Sequence, residues 1–291
     1  MHLLPVVPRF LACARCGLLA MLFAFALPAQ AAEQPKNAGP YVPSPQSVVS
    51  DMLKLADVGP KDFVIDLGSG DGRIVLTAAK VFGARGFGVE IKDELVKLSN
   101  DAAQRDGLAD RVSFMKQDLF KTDISQATVL TMYLLPDTVN LLREKLLAEL
   151  RPGTRIISHD YPLSGWIPEQ QKHMDLEEKI QISGVTTTLI FLYVVPAKVA
   201  GAWRATVPAE LSREPLRLRL KQQLTRVSGN ARIGAREVQL EEVKLRGDRL
   251  SFNLPARGRS YAFSGKIDGE TIAGTVGIGS GEAPWSAALS K

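Results

Sequence analysis

The chain has 291 residues, enough for two modest domains, and its 45% apolar and 23% charged content excludes disorder on a large scale. The formal net charge of +5 is unevenly spread: residues 201–291 carry 15 Lys+Arg against 9 Asp+Glu. Both cysteines, Cys13 and Cys16, fall near the amino terminus, so the rest of the chain has neither a thiol nucleophile nor a structural disulfide.

Arg9 and Arg15 precede an apolar run from Gly17 to Leu27, after which Pro28-Ala29-Gln30-Ala31 supplies an A-x-A cleavage pattern. This reads as a secretory signal peptide over residues 1–31, removed before Ala32, which places the protein outside the cytoplasm, in a periplasm-like space. Uncleaved, the run would be a membrane anchor, although it is shorter than the roughly 20 residues a spanning helix needs. Cys13 and Cys16 leave with it. No later run is long enough to span; the most apolar, residues 189–195, is of strand length.

Residues 32–40 are polar. Ser44-Pro45 reads as an N-cap with proline at the first helical position, and Val48, Val49, Met52, Leu53 and Ala56 follow at helical spacing. Tyr41-Val42-Pro43 either folds over a bound cofactor or merely links into that helix. Next comes Phe63-Val64-Ile65-Asp66-Leu67-Gly68-Ser69-Gly70-Asp71-Gly72-Arg73, an apolar strand and a tight glycine turn, with an amphipathic helix behind it. Glycines there permit positive φ and close backbone approach to a ligand, and the helix start offers unpaired N–H groups. A dinucleotide fingerprint needs a third small residue where this chain has Arg73, so a pyrophosphate is poorly served. The acid-led run of Asp66, Gly68, Gly70 and Gly72 instead resembles the glycine motif of class I S-adenosylmethionine-dependent methyltransferases, whose cofactor has no phosphate.

Gly86-Phe87-Gly88-Val89-Glu90 is a second strand ending in an acid, at about the spacing where α/β nucleotide folds place a carboxylate for the ribose hydroxyls. A helix over 93–105 presents Leu95, Leu98 and Ala102 on one face. The strand Val112-Ser113-Phe114-Met115 leads to Gln117-Asp118-Leu119-Phe120. The resemblance implies that Asp118 accepts from the adenine amino group; by position alone it is equally a turn or capping aspartate. Residues 127–133 form a fourth strand, Asp137 caps a helix over 139–150, and Pro152-Gly153 turns into a fifth strand over 154–158. Residues 176–182 and 185–195, joined by Ser183-Gly184, read as a closing hairpin, so the parallel sheet ends antiparallel.

The site elements and Tyr133-Leu134-Leu135-Pro136 and Gly165-Trp166-x-Pro168 together resemble one branch of that superfamily, the small protein-lysine methyltransferases acting on the adenine nucleotide translocase and the ATP synthase c subunit, and their bacterial relatives. The likeness covers about residues 41–170. It implies S-adenosyl-L-methionine as cofactor, held by Tyr41, Asp66, Gly68, Ser69, Gly70, Gly72, Glu90, Asp118 and Tyr133, and a protein lysine or other amine as acceptor. The leader and the last third have no counterpart in that branch.

The expected organisation is therefore a signal peptide at 1–31, a doubly wound α/β methyltransferase domain at 32–196 and a small all-β domain at 201–291, with Pro196-Ala197-Lys198-Val199-Ala200 as linker. In the last part Leu216, Leu218 and Leu220 alternate with Arg217, Arg219 and Lys221, and turn signals recur at Ser228-Gly229-Asn230, Arg246-Gly247-Asp248, Gly258 and Asp268-Gly269. About eight short antiparallel strands suggest a meander barrel or sandwich whose interior holds a ligand or is filled by its own side chains. Its basic residues fit an anionic partner, or are simply solvated.

Methyl transfer to an amine needs alignment, a dry site and a deprotonated acceptor. Tyr133 is the first candidate for the acceptor pocket, with Tyr161 and Trp166 as its other wall. His159 and Asp160 are either an acid–base pair or a packed histidine beside a capping aspartate. After the leader there are two histidines and no thiol, so no metal site is expected, and no nucleic-acid motif is found. Two other functions fit the same residues: a small-molecule methyltransferase, and an exported binding protein that keeps the fold as a scaffold.

Overall fold

The structure is a computed structural model that describes residues 41–290; the leader assigned to residues 1–31 lies outside the described residues. A seven-stranded sheet is built from β1 (Phe63–Leu67), β2 (Arg85–Glu90), β3 (Val112–Lys116), β4 (Val129–Met132), β5 (Arg155–His159), β6 (Gln170–Asp175) and β7 (Thr187–Val194). Its order is β3-β2-β1-β4-β5-β7-β6, parallel from β3 to β5 and antiparallel at β7, as the sequence leads one to expect. The inner strands β1, β4 and β5 are buried on both faces because helices cover both. On one side α1 (Gln46–Leu55) and α2 (Arg73–Phe82) pack Val49, Met52, Leu53 and Ala78 against Val64, Val129 and Ile157. On the other, α4 (Pro136–Glu149) packs Val139, Leu142 and Leu146 against Leu67, Leu130 and Met132. The pairings Leu67 with Val89, Leu67 with Met132 and Met132 with Ser158 keep the carboxyl ends of β2, β1, β4 and β5 level along one edge.

The fourth helix starts at Pro136 with Leu135 at its N-cap, so Asp137 lies in its first turn and does not cap it. Four further local expectations need correction. The first helix begins at Gln46 with Pro45 as its N-cap, and Ser44 makes no cap bond because its hydroxyl is engaged with His159. The helix α3 (Asp93–Arg105) buries Leu95, Ser99 and Ala103, leaving Leu98 exposed. It approaches the glycine turn so closely that a Cβ on Gly72 would lie 2.7 Å from Ser99 Cβ, and the Ser99 hydroxyl is satisfied within its own helix by Leu95 O and Val96 O. A small residue therefore takes the place that hydropathy assigns to leucine.

Third, the partner of β7 is β6, not residues 176–182; those form a 3-10 turn, Glu177–Lys179, and the short helix α5 (Ile180–Ser183). Gly184, at φ 74°, ends that helix in the left-handed region instead of turning a hairpin, and both roles put the same residue in the sequence. β6 is a polar edge strand with one neighbour, so it carries no alternation to read.

The second sheet has nine strands: β8 (Gly201–Thr206), β9 (Leu216–Gln223), β10 (Arg226–Ile233), β11 (Arg236–Gln239), β12 (Glu241–Arg246), β13 (Arg249–Ala256), β14 (Arg259–Asp268), β15 (Thr271–Ile278) and β16 (Gly281–Leu289). All pairings are antiparallel, in the order β11-β10-β9-β8-β16-β15-β14-β13-β12, and the two edge strands, β11 and β12, are joined through Leu240 alone, so the sheet curls into a nearly closed barrel. The fourth correction lies here: Ser228-Gly229-Asn230 is mid-strand, where a Cβ on Gly229 would meet Leu220 Cδ2 at 2.7 Å, and the chain turns earlier, between β9 and β10. The barrel is filled by its own side chains, with Phe252 and Phe263 stacked at 4.7 Å and Trp285 edge-on to Phe263 at 5.1 Å. It meets the first sheet at the edge opposite the carboxyl ends: Ala197 N donates to Gly247 O, a Cβ on Gly247 would lie 2.9 Å from Gly153 Cα just before β5, and Arg246 pairs with Glu169.

Candidate active site

At the end of β1 the chain reverses through Gly68, Gly70 and Gly72, with φ of 77°, 54° and 79°. Gly68 N and Ser69 N both donate to Val89 O, which ties the turn to β2. A Cβ on Gly68 would lie 2.7 Å from Leu134 Cδ2, and one on Gly70 2.6 Å from Tyr41 Cε2. The turn is thus walled by Leu134 on one side and by the Tyr41 ring on the other, and Tyr41 itself is 40% exposed. The Tyr41 ring of Tyr41-Val42-Pro43 thus lies against the glycine turn, just ahead of α1.

Asp71 and Arg73 hold it there. Arg73 Nη2 lies 2.6 Å from Asp71 Oδ2 and Arg73 Nη1 donates to Ser44 O at 2.7 Å. Burial and the Asp71 carboxylate raise the Tyr41 phenol, against the pull of Arg73. Burial works against the Asp71 carboxyl, but the hydrogen bonds and charge of Arg73 outweigh it and hold that carboxyl below its usual range. The residue that breaks the dinucleotide fingerprint is therefore a clasp between the glycine loop and the segment over it. Sequence reasoning missed the clasp, because Arg73 and Ser44 are 29 positions apart.

Glu90 closes β2. Its Oε2 accepts from Gly70 N at 3.1 Å and its Oε1 from Ile91 N and Lys92 N. That leaves acceptor capacity on Oε2 facing the turn. Asp118 follows β3; its Oδ1 caps the turn through Phe120 N at 2.9 Å, while Oδ2 makes no bond among the described residues. Asp66, the acid that leads the glycine run, lies beneath the turn. It is buried, its Oδ1 accepts from Thr131 Oγ1 at 2.7 Å, and burial raises its pKa to about 7, the Thr131 bond lowering it and Asp71 and Glu90 adding to the rise. Ser69 Oγ is buried without a hydrogen-bond partner among the described residues.

On the other side of β1, Tyr133 follows β4 and lays its ring on that of His159, centroids 3.9 Å apart. His159 is fully buried, with Ser44 Oγ 2.8 Å from Nδ1 and Thr188 Oγ1 2.7 Å from Nε2. Since Thr188 donates its proton to Asp160 Oδ1, the network assigns the imidazole hydrogen to Nε2 and makes Ser44 the donor to Nδ1. Burial lowers the His159 pKa to about 4, against the pull of Asp160.

Asp160 stands at φ 62°, in the left-handed region. Its Oδ2 takes Lys179 Nζ at 2.6 Å and the Tyr133 hydroxyl at 3.1 Å, and its Oδ1 takes Thr188 Oγ1 and Leu189 N at 3.0 Å each. Burial alone would raise this carboxyl. A protonated His159 would lower it, but His159 is neutral above about pH 4, so at neutral pH the Lys179 ammonium and the Leu189 N–H hold it below its usual range. Burial and the Asp160 carboxylate push the Tyr133 phenol well up. His159 and Asp160 thus lie side by side, but the ring faces inward and the carboxylate has donors on all four acceptor positions, so neither is free to take a proton.

Trp166 is also placed elsewhere than expected. Asn140 and Arg143 of α4 bind Ser164, and Gly165 at φ 74° then turns the indole into the core, where it is 3% exposed and 5.5 Å from Tyr193. Tyr161 packs against the same core cluster. Lys179 and Thr188 are members of this site that no pattern in the sequence singles out, and Ser44 is marked there only as a helix cap.

The turn, the two outward acids and Tyr133 lie in spatial order along one edge, at the point where the sheet runs from β1 to β4 in one direction and to β2 in the other. This is where doubly wound sheets bind their ligands. A class I S-adenosylmethionine-dependent methyltransferase is the class that this fold and edge define. The family model described as the ANTKMT methyltransferase domain matches residues 66–170. A protein-lysine N-methyltransferase of Saccharolobus islandicus (strain REY15A) is 41% identical over 157 residues, 54% of this chain and 93% of that protein. A lysine N-methyltransferase of the ATP synthase c subunit, from Xenopus laevis, is 35% identical over 53% of this chain and 67% of its own length. An adenine nucleotide translocase lysine N-methyltransferase of Mus musculus is 37% identical over 44% of this chain and 56% of its own. Among solved structures, an RNA methyltransferase from Salinibacter ruber in complex with S-adenosyl-L-homocysteine is 45% identical over 54% of this chain and 96% of that one, with a TM-score of 0.49. The chain belongs to the family of protein-lysine N-methyltransferases that carry the ANTKMT methyltransferase domain.

Proposed function

We propose that the protein methylates a lysine side chain of another protein, that it does so outside the cytoplasm after losing residues 1–31, and that its basic barrel meets an anionic partner. The observation that carries the catalytic part is the level edge on which Asp118, Glu90, the glycine turn and Tyr133 follow one another. The residues fit the cofactor: the turn admits no Cβ at Gly68, Gly70 or Gly72, Glu90 and Asp118 keep acceptor positions toward it, and Ser69 Oγ is a buried donor without a protein partner among the described residues. When bound there, S-adenosylmethionine supplies a methyl group on a sulfonium. Glu90 would accept from the ribose hydroxyls and Asp118 Oδ2 from the adenine amine, with the backbone of residues 68–72 and the Tyr41 ring enclosing the methionine part.

An ordinary lysine has a pKa of about 10.4 and must reach the site neutral. With His159 and Asp160 both committed, the chain lowers that pKa by its apolar surroundings: Leu134 and the exposed Leu135 disfavour the ammonium. The proton leaves to water before the amine is enclosed. Tyr133, fixed by Asp160 and by stacking on His159, orients the acceptor and offers the arriving cation an aromatic face.

The test is incubation of the purified protein with methyl-labelled S-adenosylmethionine and a cell-envelope protein fraction, followed by digestion and mass spectrometry. Label on lysine, reduced at least about tenfold by Tyr133→Ala, is the expected result; label confined to small molecules would contradict it. Recovery of a mature protein starting at Ala32 checks the export proposal.

A further inference from the structure

β8, β9 and β10 are three neighbouring strands whose outward positions carry Arg204, Arg217, Arg219, Lys221, Arg226 and Arg232, and none of the three contains an Asp or Glu. All six cations are exposed. The register makes the crowding specific: Arg204 stands directly opposite Arg217, and Arg217 directly opposite Arg232, so three guanidinium-bearing side chains form one row across three strands. Like charges directly opposite one another destabilise an antiparallel pair. The barrel's ion pairs, Arg246 with Glu169 and Asp248 with Arg249 and Lys266, lie on other strands, and among the described residues none involves these six. Arg232 makes a side-chain bond, from Nε to Gly234 O, and Glu237 of β11 stands opposite it as the one acid that continues the row.

We infer that this face is a docking surface for an anionic phospholipid membrane. Cations about 7 Å apart along a strand and about 5 Å apart across strands make a dense positive lattice on the convex barrel wall. It lacks what other polyanions need. The outward positions of these strands hold no aromatic side chain on which a base could stack, and the barrel wall puts no helix into a duplex groove. It also offers no aromatic or aliphatic anchor of the kind that dominates protein interfaces. A fluid lipid surface demands no shape match and gathers charge beneath the protein, relieving the repulsion within the row. The barrel meets the methyltransferase sheet at the edge opposite the active site, so docking leaves the carboxyl edge clear. The proposal is independent of which acceptor is methylated.

The test is co-sedimentation of the full chain with vesicles of phosphatidylcholine alone and with vesicles containing phosphatidylglycerol, at low and high salt. The comparison is with Arg217→Glu/Arg219→Glu/Lys221→Glu, whose thermal melt and cofactor affinity are checked alongside. Each basic residue at an anionic surface strengthens partitioning about fivefold, so the triple variant is expected to lose more than about tenfold, and raised salt to do the same to the wild type. A second variant, Arg204→Gln/Arg217→Gln/Arg232→Gln, keeps the shape and removes the like-charge row; it is expected to melt higher and still lose partitioning. Equal partitioning of wild type and variants, equal binding of the wild type to neutral vesicles, or tighter binding to RNA than to the anionic vesicles would overturn the inference.

Discussion

Lys179 Nζ lies 2.6 Å from Asp160 Oδ2, with the two side chains only 4% and 13% exposed, and the same oxygen receives the hydroxyl of Tyr133. A buried charge pair thereby anchors the aromatic ring at the acceptor side of the cofactor edge. Removing one partner of such a pair leaves a buried, uncompensated charge, which costs about 3–5 kcal/mol. Lys179→Met is expected to lower stability by that order in urea denaturation, whereas Asp160→Asn/Lys179→Met together should cost less than Lys179→Met alone.

Tyr133→Phe deletes the hydroxyl and keeps the ring. If the ring is what receives the acceptor and Asp160 only holds it, kcat should fall by about tenfold or less, with cofactor affinity within about twofold of wild type; Tyr133→Ala should fall much further. A loss of cofactor binding by Tyr133→Phe equal to its loss of rate would contradict this.

His159 titrates near pH 4 in the fold, against an ordinary value of 6.5. Its neutral form is the folded form, so its contribution is complete above about pH 6.5 and is lost as the pH falls toward 4. The difference is worth about 3 kcal/mol. His159→Gln should flatten the fall in stability across that window in denaturation curves. The same slope in the variant would show that other groups drive it.

Asp66 has the opposite sign. Its carboxyl titrates near pH 7 in the fold, above its unfolded value of 3.8, so stability is greatest below pH 3.8 and declines as the pH rises toward 7 and the buried group ionises. Asp66→Asn keeps an acceptor for Thr131 and should gain on the wild type by a few kcal/mol between pH 5 and pH 8, read as a diverging urea midpoint. Midpoints that run parallel would mean the carboxyl is ionised throughout.

The parts of the site that the sequence reveals are those held by backbone rules. Asp66 and the three glycines follow from a strand that must reverse within a few residues, and Glu90 and Asp118 from the ends of the next two strands. The alternation of Leu216, Leu218 and Leu220 with Arg217, Arg219 and Lys221 puts leucines in the barrel and cations outside, as observed. What period and spacing do not reveal is what distant segments do to one another. Ser44 meets His159 across 115 positions, and that contact removes an N-cap and occupies a histidine that the sequence offers as a base. Lys179 sits in a stretch with strand-like composition that folds as a 3-10 turn, and only there does its ammonium reach Asp160. Leu98 and Ser99 exchange places because a helix packs on a glycine loop, a closeness that hydropathy cannot register.

The most direct test of the central claim, that one strand-end edge is the cofactor site, is calorimetric titration of the protein with S-adenosylmethionine and S-adenosylhomocysteine, beside Glu90→Ala and Asp118→Ala. Micromolar binding of both ligands, weakened at least about tenfold by each substitution without a change in melting temperature, is the predicted result. Binding that neither substitution alters, or none by folded wild-type protein, would contradict the account.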